Sequence, residues 1–174
     1  MTGPALGAGP DLGDDPEGAT PIDDEQRQGL KASWIATRAD LNQAEYDNIL
    51  GARLVWRRRL HGRGSRRVNV EKLLDHQTVR DLHRDMYGEV WAWAGRYRTS
   101  DTNIGVPWHR ITEATAQLLG NAVHWFTGEA SMPTDRAAAR LHHKLVEIHP
   151  FPNGNGRHSR ELTDLVLLSL DQEP

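Results

Sequence analysis

The chain has 174 residues, with 21 Lys and Arg against 24 Asp and Glu, and a formal net charge of -3 gives it no general pull toward nucleic acid or anionic membranes. It contains no cysteine, which excludes disulfides, thiol catalysis and cysteine-held metals. Its apolar runs, such as Leu165-Val166-Leu167-Leu168, fall far short of the ~18–20 residues of a membrane span.

The length suits one domain with a single substantial core. An N-terminus without the basic and apolar regions of a signal peptide fits a cytoplasmic setting. Residues 1–20, rich in Gly, Pro, Ala and Asp without apolar period, read as a disordered arm, and residues 21–174 as the domain, with order beginning near Ile22. Thr37 caps a predicted long helix in which Leu41, Ala44, Ile49, Ala52 and Val55 recur at helical spacing, ending near Leu60. Residues 61–67 form a Gly/Arg/Ser link.

One helical stretch is then predicted from Val70 through Leu73, Leu74, Leu82, Met86 and Val90, stopping at Gly95. Asp101, Asn103, Gly105 and Pro107 break the segment over residues 97–110, which reads as a short hairpin. Two further helices span residues 112–127 and 134–148, the second capped by Thr134. Pro150 disfavours helical geometry at His149 and so ends that helix there. A last helix runs from Arg157 to about Leu170, with Leu162, Leu165, Val166 and Ser169 at helical spacing and Asn155-Gly156 leading into it. The fold class is therefore mainly α, with one small β-hairpin flap.

Chemistry concentrates in His149-Pro-Phe151-Pro-Asn153-Gly154-Asn155-Gly156-Arg157-His158-Ser159-Arg160. A helix N-terminus favours anions, yet this one carries Arg157, His158 and Arg160 in its opening turns, so a bound anion is expected to compensate. Free backbone N–H groups, glycines that admit close approach and two arginines three apart are the parts of a polyphosphate cradle. His149, pinned where a helix stops, titrates near neutrality and suits proton abstraction from a hydroxyl. Phe151 anchors the turn between two rigid prolines.

This run resembles the signature of Fic/Doc proteins, His-x-Phe-x-(Asp/Glu)-Gly-Asn-Gly-Arg-x-x-Arg, and departs from it only at Asn153. Trp91-Ala-Trp93-Ala-Gly95-Arg96-Tyr97-Arg98 is similar to the family's lead into its flap, so the likeness covers roughly residues 70–170. Gly18-Ala19-Thr20-Pro21, Asn48-Ile49-Leu50 and Asn103-Ile104-Gly105 add a softer resemblance to a bacterial subgroup called mobile mystery protein B.

The resemblance implies a Fic-type helical domain that transfers AMP from ATP to an exposed Ser, Thr or Tyr hydroxyl of a target protein. It makes His149 the general base and Gly154, Asn155 and Gly156 the anion hole around the α- and β-phosphates. Arg157 then holds the β/γ-phosphates, and Arg160 the γ-phosphate. Thr99, Asp101, Asn103, Ile104, Gly105 and Val106 become a flap that docks the target by backbone pairing. The family binds Mg²⁺ (or Mn²⁺) through the acidic residue that Asn153 replaces, so a weakened metal site and slower turnover are expected here. Two alternatives remain: a module that binds nucleotide or a partner without turnover, and a Doc-like phosphotransferase, whose relatives carry lysine where Gly156 stands. An antitoxin-like inhibitor protein is a further implied partner, because Ser169 to Glu173 does not place an inhibitory glutamate near Arg160.

Other features take plainer readings. Arg57, Arg58, Arg59, Arg63, Arg66 and Arg67 read as a solvated helix end rather than a nucleic-acid patch. His142, His143 and His149 lack the spacing of a zinc helix. His83-Arg84-Asp85 resembles a kinase triplet without its companions and reads as helix surface. The six tryptophans read as core and flap packing.

Overall fold

A computed structural model of the chain describes residues 28–31, 34–35, 37–60, 68–128 and 132–173. The expected arm, the Gly/Arg/Ser link, Arg63, Arg66, Arg67 and residues 18–21 of the subgroup likeness lie outside the described residues. The architecture is mainly helical, as the periodicity predicts. Its elements are α1 (Arg38–Leu60), α2 (Val70–Leu73), α3 (His76–Tyr87), a 3₁₀ turn (Trp108–Arg110), α4 (Ile111–Thr127), α5 (Thr134–Ile148) and α6 (Asn155–Ser169).

Thr37 caps α1 through a reciprocal pair: its Oγ1 accepts the Asp40 N–H at 3.1 Å and the Asp40 carboxylate accepts the Thr37 N–H at 2.9 Å. The buried face of α1 is Leu41, Glu45, Ala52, Trp56 and Leu60, whereas Val55, an expected core position, is exposed. Residues 70–90 do not form one helix. The chain breaks at Leu74 and Asp75, where the Asp75 carboxylate accepts the N–H groups of Gln77 (3.1 Å) and Thr78 (3.2 Å) and starts α3 anew. Gly95 lies well past the end of α3 and takes a left-handed φ of +76°. Thr134 is the first residue of α5 rather than its cap; Pro133 precedes it without a side-chain cap bond.

The elements close on one core. α6 packs on α5 and also meets α1, α2 and α3, while α4 covers α5. Leu73, Leu82, Met86, Leu141, Leu145, Phe151, Leu162 and Leu165 are almost wholly buried at this junction. Polar ties cross the same seams. The Arg53 Nε donates to the buried Glu161 carboxylate at 2.7 Å, joining α1 to α6, and the Ser159 hydroxyl donates to the His142 carbonyl at 2.9 Å, joining α6 to α5.

Residues 97–107 contain no β ladder; the one bridge among the described residues pairs Leu30 with Trp91, outside this segment. The segment is nonetheless pinched at its base. The Arg98 N–H donates to the Pro150 carbonyl at 3.0 Å and the Val106 N–H to the Ile148 carbonyl at 3.2 Å, so both ends hang on the turn around His149. No helix among the described residues is long and apolar enough to cross a membrane.

Candidate active site

His149 closes α5. Its N–H still donates to the Leu145 carbonyl at 3.2 Å, but its backbone turns left-handed, φ 54° and ψ 60°, because Pro150 forbids another helical residue. For a residue with a β-carbon this conformation costs roughly 1–2 kcal/mol and persists only where neighbours enforce it. Arg98 is the enforcer. Its side chain, 2% exposed, donates from Nε to the His149 carbonyl at 2.8 Å, from Nη1 to the Ser100 carbonyl at 2.8 Å and from Nη2 to the Val106 carbonyl. One guanidinium thus ties the base-bearing turn to both limbs of the flap segment. Burial lowers the Arg98 pKa, opposed by Asp101, whose carboxylate lies 3.8 Å from Nη1.

The His149 ring is buried beneath the flap, and neither ring nitrogen makes a hydrogen bond of normal geometry. Gly105 presses on it: a β-carbon at that position, where φ is +103°, would lie 2.7 Å from the His149 Cβ. Burial, then the Arg98 charge, lowers the His149 pKa, with the Val146 carbonyl opposing. A neutral imidazole with a free lone pair is the form a proton acceptor requires.

Between the two helices the turn is locked by its own side chains. Phe151 is fully buried and stacks on the His83 ring, centroids 3.7 Å apart. The Asn155 amide grips the Phe151 backbone from both sides, accepting its N–H at 2.9 Å and donating to its carbonyl at 2.8 Å. The Asn155 side chain is therefore engaged within the turn. Gly154, at φ +77°, precedes α6 as a left-handed cap with no side-chain cap bond, which leaves the first N–H groups of α6 for a ligand. A β-carbon on Gly154 would strike the buried Tyr87 ring at 2.5 Å, whereas Gly156 faces open space.

The charges at this helix start differ from expectation. Arg157 does not wait for an external anion. Its Nη2 pairs with Glu45 at 2.6 Å, and its guanidinium lies over the Tyr87 ring, 5.3 Å from the centroid. Glu45 is itself buried and accepts the Trp91 indole N–H at 2.7 Å. His158 is not a surface cation either: fully buried, with Nε2 bonded to the Val79 carbonyl at 2.9 Å, it is held neutral by burial at a pKa of about 4. Arg160 is exposed and lies near His142 and Asp164.

Asn153 offers little to a metal. Its side-chain amide oxygen already accepts the Gly154 N–H at 2.7 Å, and no group of three or more His, Asp or Glu side chains suited to a metal occurs among the described residues. The donor set fits a divalent cation carried in by phosphates, not one held by the protein alone.

Of the expected flap residues, Ile104 is 49% exposed, Thr99, Asp101 and Asn103 are exposed, and Val106 is half-buried. Asp101 braces the loop by accepting the Trp108 N–H at 2.8 Å. Sequence reasoning missed Glu45, Tyr87 and Arg98, and placed His83 on the surface, where the structure buries it completely. The only available signal was Arg98 at the end of the tryptophan-rich run. Trp56 and Trp91 are core residues as expected, while Trp34 and Trp108 are exposed. Arg57, Arg58 and Arg59 form a helix end in which Arg59 lies over Trp56 and 3.5 Å from Asp85.

The protein adenylyltransferase fic-1 of Caenorhabditis briggsae is 33% identical over 93 residues, 52% of this chain and 18% of that protein. The protein adenylyltransferase Fic of Drosophila virilis is 33% identical over 109 residues, 60% of this chain and 22% of that protein. The chain thus spans about a fifth of the length of these curated relatives. Among solved structures, Fic-1 from C. elegans superposes with a TM-score of 0.54 at 24% identity, covering 84% of this chain and 46% of that one. BepC from Bartonella tribocorum, solved with bound AMPPNP, gives 0.59 at 16% identity, covering 84% and 80%. The Fic/DOC family profile matches residues 73–167, more than half of the 174, and the chain belongs to that family.

Proposed function

We propose that this chain is a protein adenylyltransferase that moves AMP from ATP to a hydroxyl side chain of a target protein. The observation that carries the reading is the junction of α5 and α6. A buried, neutral His149 stands at the end of one helix, and the uncapped amides of the next begin six residues later. His149 removes the proton from the incoming hydroxyl. The freed oxygen attacks the α-phosphorus, the bond from that phosphorus to the β-phosphate bridging oxygen breaks, and pyrophosphate leaves toward Arg157 and Arg160. The amides of Asn155, Gly156 and Arg157 stabilise the charge that spreads over the phosphate oxygens; the Gly154 N–H, expected among them, is instead taken by the Asn153 side chain.

Mg²⁺ or Mn²⁺, arriving with ATP, would neutralise phosphate charge, with the Asn153 oxygen as its protein ligand. In this reading the exposed edge of residues 99–106 receives an extended segment of the target. Because that flap also covers His149, it must shift before a target hydroxyl reaches the ring. An antitoxin-like protein that occludes Arg160 completes the set of partners, and the setting is cytoplasmic.

The test is α-labelled ATP with Mg²⁺ in a bacterial lysate, with His149→Ala alongside. Protein-bound label that requires His149 supports the reading. No label, even with Mn²⁺ or Asn153→Asp, favours a non-catalytic nucleotide-binding module; the already engaged Asn153 oxygen is the observation behind that second reading.

A further inference from the structure

We infer that His83, in its Nε2–H tautomer, is a positioning residue that locks the signature turn to the root of the flap. The inference rests on the AMP-transfer reading for its functional consequence. His83 is wholly buried on α3, and each ring nitrogen serves a different part of the site. Nδ1 accepts the Gly95 N–H at 3.0 Å, so Nδ1 carries no proton and the neutral ring bears it on Nε2. Nε2 then donates to the Asn153 carbonyl at 3.1 Å.

Both partners are held where His83 finds them. A β-carbon on Gly95 would lie 2.8 Å from Arg84 Cβ and 2.9 Å from the Arg80 carbonyl oxygen, so its amide approaches the helix as only glycine can. Gly95 leads in three residues to Arg98, which ties the flap to His149. The Asn153 carbonyl belongs to the peptide that leads into Gly154 and the first amides of α6. The imidazole face stacks on Phe151 at 20° to its plane, and Tyr87, whose ring floors Gly154, lies 4.7 Å from the His83 centroid. An apolar residue of similar size would fill the space and leave the Gly95 N–H and the Asn153 carbonyl unpaired. The two bonds therefore set the distance between the flap root and the phosphate turn, the two halves that a target and ATP must bridge.

Two substitutions separate the bonds. His83→Gln places an amide nitrogen near the former Nε2 and keeps the Asn153 bond, whereas His83→Asn places an oxygen near the former Nδ1 and keeps the Gly95 bond. Because the lock needs both bonds, each variant is expected to lower His149-dependent turnover, roughly tenfold to a hundredfold, as losing an outer-shell partner does in metal sites. In parallel, the Gly95 amide should lose its hydrogen-exchange protection in His83→Gln and keep it in His83→Asn. Long-range ¹⁵N spectra of the wild-type ring should show the proton on Nε2.

Wild-type turnover in either variant, losses that track melting temperature, a proton on Nδ1, or unchanged Gly95 protection in His83→Gln would each overturn the inference. If wild type shows no His149-dependent label, the AMP-transfer reading has failed; the tautomer and the Gly95 exchange then decide the positioning claim without it.

Discussion

Gly154 and Gly156 stand two residues apart in one turn, and the structure gives them opposite jobs. Gly154→Ala must hold a β-carbon at φ +77°, which costs about 1–2 kcal/mol. The same carbon meets Tyr87 Cζ at 2.5 Å and its hydroxyl at 2.7 Å, and Tyr87 has no exposed surface through which to retreat. Overpacking of that kind adds about 1–3 kcal/mol, for a total loss of roughly 2–5 kcal/mol. Gly156→Ala meets nothing within 4 Å and lies inside α6, where Ala in place of Gly stabilises by about 0.5–1 kcal/mol. The open space over Gly156 is where phosphate must come to reach the amides, so its methyl group should weaken nucleotide binding about tenfold or more, a loss of roughly 1.4 kcal/mol or more. Urea unfolding and calorimetric titration with ATP separate the two effects: Gly154→Ala unstable, Gly156→Ala stable but weak in binding. A Gly156→Ala protein that binds ATP like wild type would refute the cradle, and a Gly154→Ala protein of undiminished stability would refute the turn geometry.

Asn153→Asp keeps an oxygen for the Gly154 N–H and adds a charged one, so the Mg²⁺ concentration for half-maximal transfer should fall about tenfold or more; no change would remove Asn153 from the metal argument. Because Asn153-Gly154 is a deamidation-prone pair, intact mass must accompany that assay. His158 has a folded pKa of about 4, below the 6.5 of the unfolded chain, so the unfolded state binds the proton better. Stability is complete above about pH 6.5 and lost as pH falls toward the folded value, by about 2 kcal/mol between pH 6.5 and 5 at 1.36 kcal/mol per unit. His83 and His149 shift in the same direction, and a flat profile in urea unfolding would contradict all three. Arg98→Lys gives up the fork that spans three carbonyls, which should speed hydrogen exchange at the Val106 amide and lower stability by about 2–4 kcal/mol; unchanged exchange would mean that the flap is held otherwise.

What the sequence made legible was local. Pro150 announced the end of α5, Thr37 the start of α1, and the Gly/Asn run the start of α6, because caps and breakers act within a few residues. The apolar period ran unbroken through Leu73, Leu74 and Leu82 and hid the interruption, after which the Asp75 carboxylate starts the helix anew. Glu45 sits on the buried face of α1, four residues from Leu41, but a glutamate in a sequence reads as solvated until Arg157 and Trp91 arrive from more than forty residues away. The flap was expected as a hairpin, yet what shapes it is a buried arginine bonding to backbone carbonyls, and no residue pattern encodes that. His83 looked like helix surface because its partners, Gly95 and Asn153, lie on other segments.

The central claim is that His149 directs a hydroxyl at the α-phosphorus of ATP. The most direct measurement incubates the protein and its His149→Ala variant with target-containing lysate and ATP labelled in parallel at the α- or the γ-phosphate, and follows both protein label and pyrophosphate. The prediction is protein label from the α position only, with equivalent pyrophosphate release, and neither with His149→Ala. Label from the γ position, or α label that survives the loss of His149, would contradict it.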